Sequence, residues 1–302
     1  MNACRRAMNT RYRPGRRIAA LLTALPALLA LQTHAGAQEV AVDDKLLRVC
    51  ADPHNLPQSD DRGAGYENAI AAAMAKDLGR ELSYTYFPQR MGFVRQTLRA
   101  KDTTTQRFKC DLIVGVPKGY ELAATTRPYM HSTYALLYLK RGVLAGVGSA
   151  DEVLALPPAQ RAKLRFGYFA PSPAVDWLQR NGLFEQSIAH ATLNGDPEES
   201  PGRIMERELS SGRIDVAVVW GPVAGYVARE RGGDWATLPL KSPDPSIKFD
   251  YEIAMGVRFG EPQWKSTVDN WIAGNRERID AILASYRIPL ADDSGAVRAE
   301  SK

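Results

Sequence analysis

The sequence has little of what enzymes and metalloproteins need. It contains four histidines and three cysteines in 302 residues, and only His54, His131 and His190 follow the first 37 residues, without the spacing of metal ligands. The motifs CxxC, G-x-S-x-G, G-x-x-x-x-G-K-[ST] and G-x-G-x-x-G are all absent. We therefore predict no catalytic residues, no metal and no cofactor, and a protein that is not an enzyme. His54 is the one residue that we would test for acid–base chemistry.

Long apolar runs are also missing. The longest, residues 18–31, has 14 residues and is too short to span a bilayer comfortably. Six arginines precede it and Ala35-Gly36-Ala37, an A-x-A cleavage site, follows it. The pattern predicts a signal peptide over residues 1–37, a mature N-terminus at Gln38 and a periplasmic protein without membrane insertion. An uncleaved anchor is the alternative, which the short apolar run disfavours.

The basic charge is confined to this N-terminal segment. The chain has 39 Lys and Arg against 34 Asp and Glu, and removing the six arginines of residues 1–37 leaves 33 against 34. A mature chain with a net charge near −1 offers no electrostatic case for nucleic acid or for a polybasic membrane patch.

Two cysteines, Cys50 and Cys110, remain after the signal peptide. Two cysteines in an exported protein suggest a disulfide, and both lie on strands that we expect to be neighbours. Cys50 is late in its strand and Cys110 begins its own, so their Cα atoms could be too far apart to bridge. Two buried thiols are the alternative, and both remain open at this point.

Strands and helices alternate along the mature chain. The first unit has predicted strands at 47–51, 82–87 and 112–115, with helices at 66–78 and 91–100. A second unit has predicted strands at 165–169, 190–193, 215–220 and 235–240, with helices at 174–179, 203–211 and 222–231. A strand at 251–257 and a long helix at 262–286 follow. The β-α-β order indicates parallel sheets with right-handed crossovers.

The stretch CDLIVGVPKGYELAATTRPYMHSTY, residues 110–134, joins the two units. It resembles the point where a type II periplasmic binding protein passes from its first lobe to its second. The resemblance implies two α/β lobes joined by a two-strand hinge, with crossings at 132–138 and 250–255 and a central cleft. Lobe 1 is expected over residues 44–133 plus 256–290, lobe 2 over 139–250, and a disordered tail over 291–302.

Several unusual blocks resemble one subfamily of this fold. They are LRVCADPHNLP (47–57), GYENAIAAAMAKDLGRELSY (65–84), YFPQRMGFVRQTLR (86–99), residues 110–135 and VAVVWGPVAGY (216–226). They are similar to the accessory proteins of quinoprotein dehydrogenases, the MxaJ/XoxJ type of methanol dehydrogenase operons. The resemblance implies a non-enzymatic role in the maturation or activation of a PQQ-dependent alcohol dehydrogenase, with its c-type cytochrome as a further partner.

The anchors that amino-acid-binding members use are absent. Gly119-Tyr120 stands where the fold usually has the arginine that clamps the ligand carboxylate, and Trp220-Gly221 stands where an aspartate usually meets its ammonium group. Pro171 and Pro173 remove two amide donors from the start of a second-lobe helix. A charged ligand without partners would be costly to bury. Free α-amino acids are therefore poor candidates.

Loops at the carboxyl ends of the strands should line the cleft. The residues that we expect to contact a ligand or partner are His54, Asn55, Leu56, Arg90, Phe93, Pro117, Tyr120, Tyr129, Ser172, Trp220 and Gly221. Trp220 is the strongest of these candidates, and Arg90 and Arg127 would be the cationic contacts. The aromatic character suits an apolar or aromatic ligand, or an inserted segment of a partner protein.

Two other functions remain open. One is the substrate-binding component of an ABC importer for a small non-amino-acid ligand. The other is an enzyme similar to the periplasmic cyclohexadienyl dehydratases, against which the missing carboxylate-binding arginine counts. Neighbouring genes would separate the first from an accessory role.

Overall fold

A computed structural model describes residues 44–192, 196, 199–241 and 247–292. The predicted signal peptide and all but the first two residues of the predicted tail lie outside this part of the chain. Glu39–Lys302 is one compact unit. Its first half contains β1 (Leu46–Ala51), β2 (His54–Asn55), β3 (Ser59–Asp60), α1 (Tyr66–Asp77), β4 (Glu81–Tyr86), α2 (Phe93–Gln96), β5 (Leu112–Pro117) and β6 (Ala124–Leu139).

The second half continues the alternation and ends in two helices. It contains α3 (Ala150–Ala155), α4 (Pro158–Arg161), β7 (Phe166–Ala170), α5 (Ala174–Arg180), β8 (Ser187–Ala191), α6 (Pro201–Ser210), β9 (Val216–Trp220), α7 (Gly221–Arg231), β10 (Trp235–Pro239), β11 (Asp250–Val257), α8 (Pro262–Gly274) and α9 (Arg276–Ser285).

Strand β6 connects two parallel sheets. β1 lies parallel between β4 and β5, and β7 lies parallel between β8 and β9. The first part of β6 pairs antiparallel with β11, and its second part pairs antiparallel with β9 and β10. β6 and β11 are therefore the two strands that cross between the sheets, and they are paired from Val257↔Ala124 to Asp250↔Thr133.

Each sheet has its own hydrophobic core. In the first, α1 packs on β1, β4 and β5, and α8 and α9 pack on β6, with Ile70, Met74 and Leu283 fully buried. The second sheet is covered on both faces, since Phe166 and Trp177 belong to one cluster and Met205 and Leu209 to another. Separate cores leave room for a cleft between them. We retain the lobe limits 44–133 plus 256–290 and 139–250 as a proposal.

Cys50 and Cys110 form a disulfide with a Cα–Cα distance of 5.4 Å. The two residues come close because β1 and β5 are neighbours in register, with Cys50 opposite Ile113. Both cysteines are buried in a small cluster with Phe93, Val94 and Leu98. The disulfide therefore ties β1 to the segment that enters β5, beneath α2.

Several element boundaries differ from those predicted. The helix expected over 91–100 is the single turn α2, because Gly92 precedes it in a left-handed conformation with φ 93° and Thr97 ends it. The first crossing, expected over 132–138, is part of β6, which begins earlier, at Ala124. The sequence does not indicate this start, because Pro128 has no amide to donate to a strand ladder. In the structure, Pro128 lies where the pairing of β6 with β11 shifts register.

Three further differences from the prediction concern β8, the two last helices and the C-terminal segment. The strand expected over 190–193 is β8, which ends at Ala191. The long helix expected over 262–286 is interrupted at Asn275, whose φ of −122° leaves the helical region. Ala291, the first residue of the predicted disordered tail, is 1% exposed and donates its amide to the His131 carbonyl at 2.8 Å. The chain is therefore ordered at least as far as that contact.

Candidate functional site

The cleft between the sheets contains three cavities in a row. The apolar cavity, of about 770 Å³, lies between the α2 region and residues Ala170, Pro171, Ala191 and Thr192. The middle cavity, of about 190 Å³, shares Gln89 and Arg90 with it. The polar cavity, of about 640 Å³, shares His54 with the middle one. Arg90 also crosses the cleft, since its Nη2 donates to the Asp196 carbonyl at 3.1 Å.

The apolar cavity has an apolar wall and a purely cationic set of charges. Phe93, Val94 and Val116 reach it from the core beneath, and Pro117 and Tyr120 come from the turn after β5. Among the described residues, its charged lining residues are Arg90, Arg95 and Arg99, with no carboxylate. It can therefore accept apolar groups together with an anion, but it offers no partner for an ammonium group.

The predicted cleft residues divide among the three cavities. Arg90, Phe93, Pro117 and Tyr120 line the apolar cavity. His54, Asn55 and Arg90 line the middle cavity, and His54 and Leu56 line the polar one. Asn55 Nδ2 donates to Gln89 Oε1 at 3.1 Å, and the His54 amide donates to Asp52 Oδ1 at 2.9 Å. The loops after β1 and β4 are thus held together at the centre of the cleft.

Tyr129 is not a cleft residue, and its prediction was wrong. It is fully buried in the core around β1 and α1, and its hydroxyl has no hydrogen-bond partner. Gly221 is also a packing position. A Cβ there would come within 2.3 Å of the Thr133 carbonyl oxygen and 2.6 Å of Pro289 Cγ. Arg127 is exposed outside the three cavities, with its amide bonded to Asp269 Oδ1 at 2.6 Å.

Trp220 lies at the strand crossing and lines none of the three cavities. Its ring makes edge contacts with Tyr134 and Tyr251, each at a centroid distance of 5.7 Å. It packs against the cores of both sheets, because β9 places it opposite Tyr134 on β6. Burial raises the pKa of Tyr134 to about 12, so the phenol in this cluster stays protonated. Trp220 is therefore a hinge residue in this structure. Ser172, which precedes α5, is half-buried close to Tyr134.

Glu67 is a buried carboxyl beneath the cleft that the sequence analysis did not identify. It is 7% exposed, and Oε1 lies 2.1 Å from the position that a Cβ on Gly115 would take. Burial, and then the charge of Asp52, raises the pKa of Glu67 from 4.5 to about 8. Gly115 lines the apolar cavity and Asp52 the middle one. The only sequence signal for this contact was Gly115 inside the apolar strand β5, because a glycine in a strand often marks the close approach of another group to the backbone.

Arg95 and Arg99 were also missed. Arg95 lies in the single turn of α2 and Arg99 follows it, and both line the apolar cavity. Within the described residues, no helix is long and apolar enough to cross a membrane.

The comparisons with known proteins agree with this architecture. No protein-family model matches the chain. It is 29% identical over 270 residues to Protein MoxJ of Paracoccus denitrificans, a match that covers 85% of this chain and 94% of that protein. It is 30% identical to the crystal structure of the periplasmic binding protein XoxJ from Methylobacterium extorquens AM1, with a TM-score of 0.63, over 82% of this chain and 100% of that one.

A second crystal structure, MxaJ from Methlophaga aminisulfidivorans MPT, is 22% identical with a TM-score of 0.64, over 81% of this chain and 99% of that one. At that identity the similarity shows the fold alone. Together the two structures confirm the predicted fold class, a type II periplasmic binding protein.

Proposed function

Because this chain belongs to the MxaJ/XoxJ type of periplasmic binding proteins, we propose that it is an accessory factor of a PQQ-dependent alcohol dehydrogenase in a methanol-oxidation system. It acts in the periplasm, by protein–protein contact through its cleft, during maturation or activation of the dehydrogenase. The c-type cytochrome of that dehydrogenase is a further candidate partner. The role is a binding role, without chemistry on a substrate.

The observation that carries this proposal is the apolar cavity. A cleft that binds a zwitterionic amino acid needs groups of both signs, because each buried charge needs a partner. Here the largest of the three cavities combines Phe93, Val116, Pro117 and Tyr120 with arginines as its only charged residues among those described. Aromatic and apolar surface with peripheral arginine is the composition of protein interfaces. The family membership and the lining therefore support the same partner class, a protein.

The test is surface plasmon resonance of the mature protein against the cognate dehydrogenase, in its apo and holo forms. We expect the apo form to bind more tightly, as maturation requires. Tyr120→Ala should weaken that binding about 30-fold, since an aromatic residue in a desolvated interface commonly contributes 2 kcal/mol or more. Phe184→Ala is the matched aromatic control, since Phe184 is 37% exposed and lines none of the three cavities. No binding of either dehydrogenase form would remove the proposal.

Free α-amino acids should not bind tightly, because the apolar cavity has no carboxylate for their ammonium group. Isothermal titration calorimetry against the twenty amino acids should give no dissociation constant below about 10 μM, near −7 kcal/mol. A tighter value for any of them would favour an ordinary importer component. Calorimetry with small aromatic carboxylates tests the alternative function, the binding of a small non-amino-acid ligand for an importer.

A further inference from the structure

An exposed apolar surface continues outward from the apolar cavity. The structure has six exposed large hydrophobic residues in its described part, and three of them lie at the apolar cavity or beside Arg99: Met91 (93% exposed), Leu122 (46%) and Phe259 (58%). Arg99 Nη2 donates to the Leu122 carbonyl at 2.7 Å, and its guanidinium carbon lies 5.9 Å from the Phe259 ring centroid. Met91 and Leu122 also line the cavity itself. Contiguous apolar surface of this kind marks an interaction site.

The arginines of this surface have no carboxylate partners among the described residues. Arg90 and Arg99 donate only to backbone carbonyls, those of Asp196 and Leu122. Arg95 lines the cavity without an ion pair in the same part of the chain. By contrast, other arginines pair with acids, as Arg207 does with Glu199 and Arg278 with Asp77. Three unpaired positive charges beside an apolar wall are complementary to acidic groups on a partner.

We propose that this surface, defined as the apolar cavity with Met91, Leu122 and Phe259, binds a segment of the partner dehydrogenase in which apolar side chains alternate with Asp or Glu. The inference rests on the proposed function and specifies the partner's chemistry. Apolar side chains of the segment fill the cavity over Phe93 and Val116, and its carboxylates pair with Arg95 and Arg99. Bidentate arginine–carboxylate pairs fix the orientation of the segment.

A protein segment fits this surface better than a small molecule. A cavity of about 770 Å³ would enclose a small ligand, but such a ligand would leave Phe259, which lies outside the cavity lining, exposed. An extended segment covers both the cavity and the outer surface. Ala170, Pro171 and Thr192 approach from the second sheet, so the same segment contacts both sides of the cleft.

The first experiment reverses the charges. Arg95→Glu/Arg99→Glu should weaken binding of the dehydrogenase about 30-fold. Wild-type binding should weaken between 50 and 500 mM NaCl, where the screening length falls from roughly 14 to roughly 4 Å, and this salt dependence should largely disappear in the variant. The control Lys76→Glu/Lys163→Glu changes net charge by the same amount at two exposed lysines away from the surface. We expect less than about a 3-fold effect from it. Urea unfolding of each variant verifies the fold.

A second pair of variants tests the apolar component. Met91→Asp should weaken binding about 10-fold, because it places a charge at the centre of the contact. Val143→Asp, at a residue that is 39% exposed and lines none of the three cavities, is its control. If the dehydrogenase binds and neither Arg95→Glu/Arg99→Glu nor Met91→Asp differs from its control, the inference is overturned while the proposed function stands.

A peptide-binding experiment distinguishes failure of this inference from failure of the proposed function. Fluorescence anisotropy compares three labelled decapeptides, alternating Phe with Glu, Phe with Lys, and Ser with Glu. We expect the Phe–Glu peptide to bind best, and Arg95→Glu/Arg99→Glu to abolish its advantage. That preference would support the inference even if the dehydrogenase itself does not bind and the proposed function fails. No preference among the three peptides would overturn it.

Discussion

Replacing both Cys50 and Cys110 with alanine is expected to lower the free energy of unfolding by about 4 kcal/mol. The disulfide joins residues 60 positions apart, and a cross-link over a loop of that length removes much of the conformational entropy of the unfolded chain. Both side chains are buried with Phe93 and Val94, which form the floor of the apolar cavity. The variant should therefore lose affinity for the dehydrogenase as well as stability.

Urea unfolding with and without dithiothreitol measures this effect. The reduced wild-type protein is the control, since it keeps both sulfur atoms and loses only the cross-link. It should resemble the double-alanine variant, and dithiothreitol should not alter the variant. A loss of less than about 1 kcal/mol in both would mean that the unfolded chain is already compact around this loop.

Glu67→Gln is expected to stabilise the protein at alkaline pH. The folded protein raises the pKa of Glu67 from 4.5 to about 8, so between these values the folded state holds a proton that the unfolded state has released. The contribution of Glu67 to stability is therefore most favourable below pH 4.5, and it is lost as pH rises to about 8. At pH 9 the glutamine variant should exceed wild type by at most about 5 kcal/mol.

Urea midpoints from pH 4 to pH 9 test this prediction. The wild-type free energy of unfolding should fall across that window relative to Glu67→Gln, and the two curves should meet near pH 4. Glu121→Gln, at an exposed position, is the control and should run parallel to wild type. Parallel curves for Glu67→Gln would show that the carboxyl is ionised in the folded protein at neutral pH. Burial and the charge of Asp52 would then not raise the pKa of Glu67.

The alternation of strands and helices was readable because short apolar runs and their glycine or proline boundaries are local signals. β1, α1, β5, β9 and α7 lie within two residues of their predicted positions. The predicted element boundaries were wrong where tertiary packing overrode the local sequence signal. Pro128 hid the first part of β6, since a bulge in the pairing with β11 accommodates it. Asn275 separates α8 from α9 directly after Gly274, a local helix-end signal that the prediction of one long helix did not use.

The location of individual site residues was less predictable, because it depends on which face of an element meets the cleft. Tyr129 and Tyr120 both follow β5 in sequence. Strand pleating turns Tyr129 into the core, and the turn after Gly119 directs Tyr120 to the cavity. Trp220 has the expected position at a strand end, but that end faces the strand crossing. Because successive residues of a strand point to opposite faces, a shift of one residue decides whether a side chain lies in the core, at the hinge or in a cavity.

The sequence by itself determined the family and the order of the elements, because each is written in contiguous residues. Only the tertiary structure decided which distant residues meet. Asp111 pairs with Arg48, 63 positions away, at 2.7 Å, and with Arg258, 147 positions away, at 2.5 Å. The approach of Glu67 to Gly115 and the arrangement of Arg95 and Arg99 around exposed apolar surface have the same origin. Burial and charge pairing depend on distances in space, and only the packing of the sheets sets those distances.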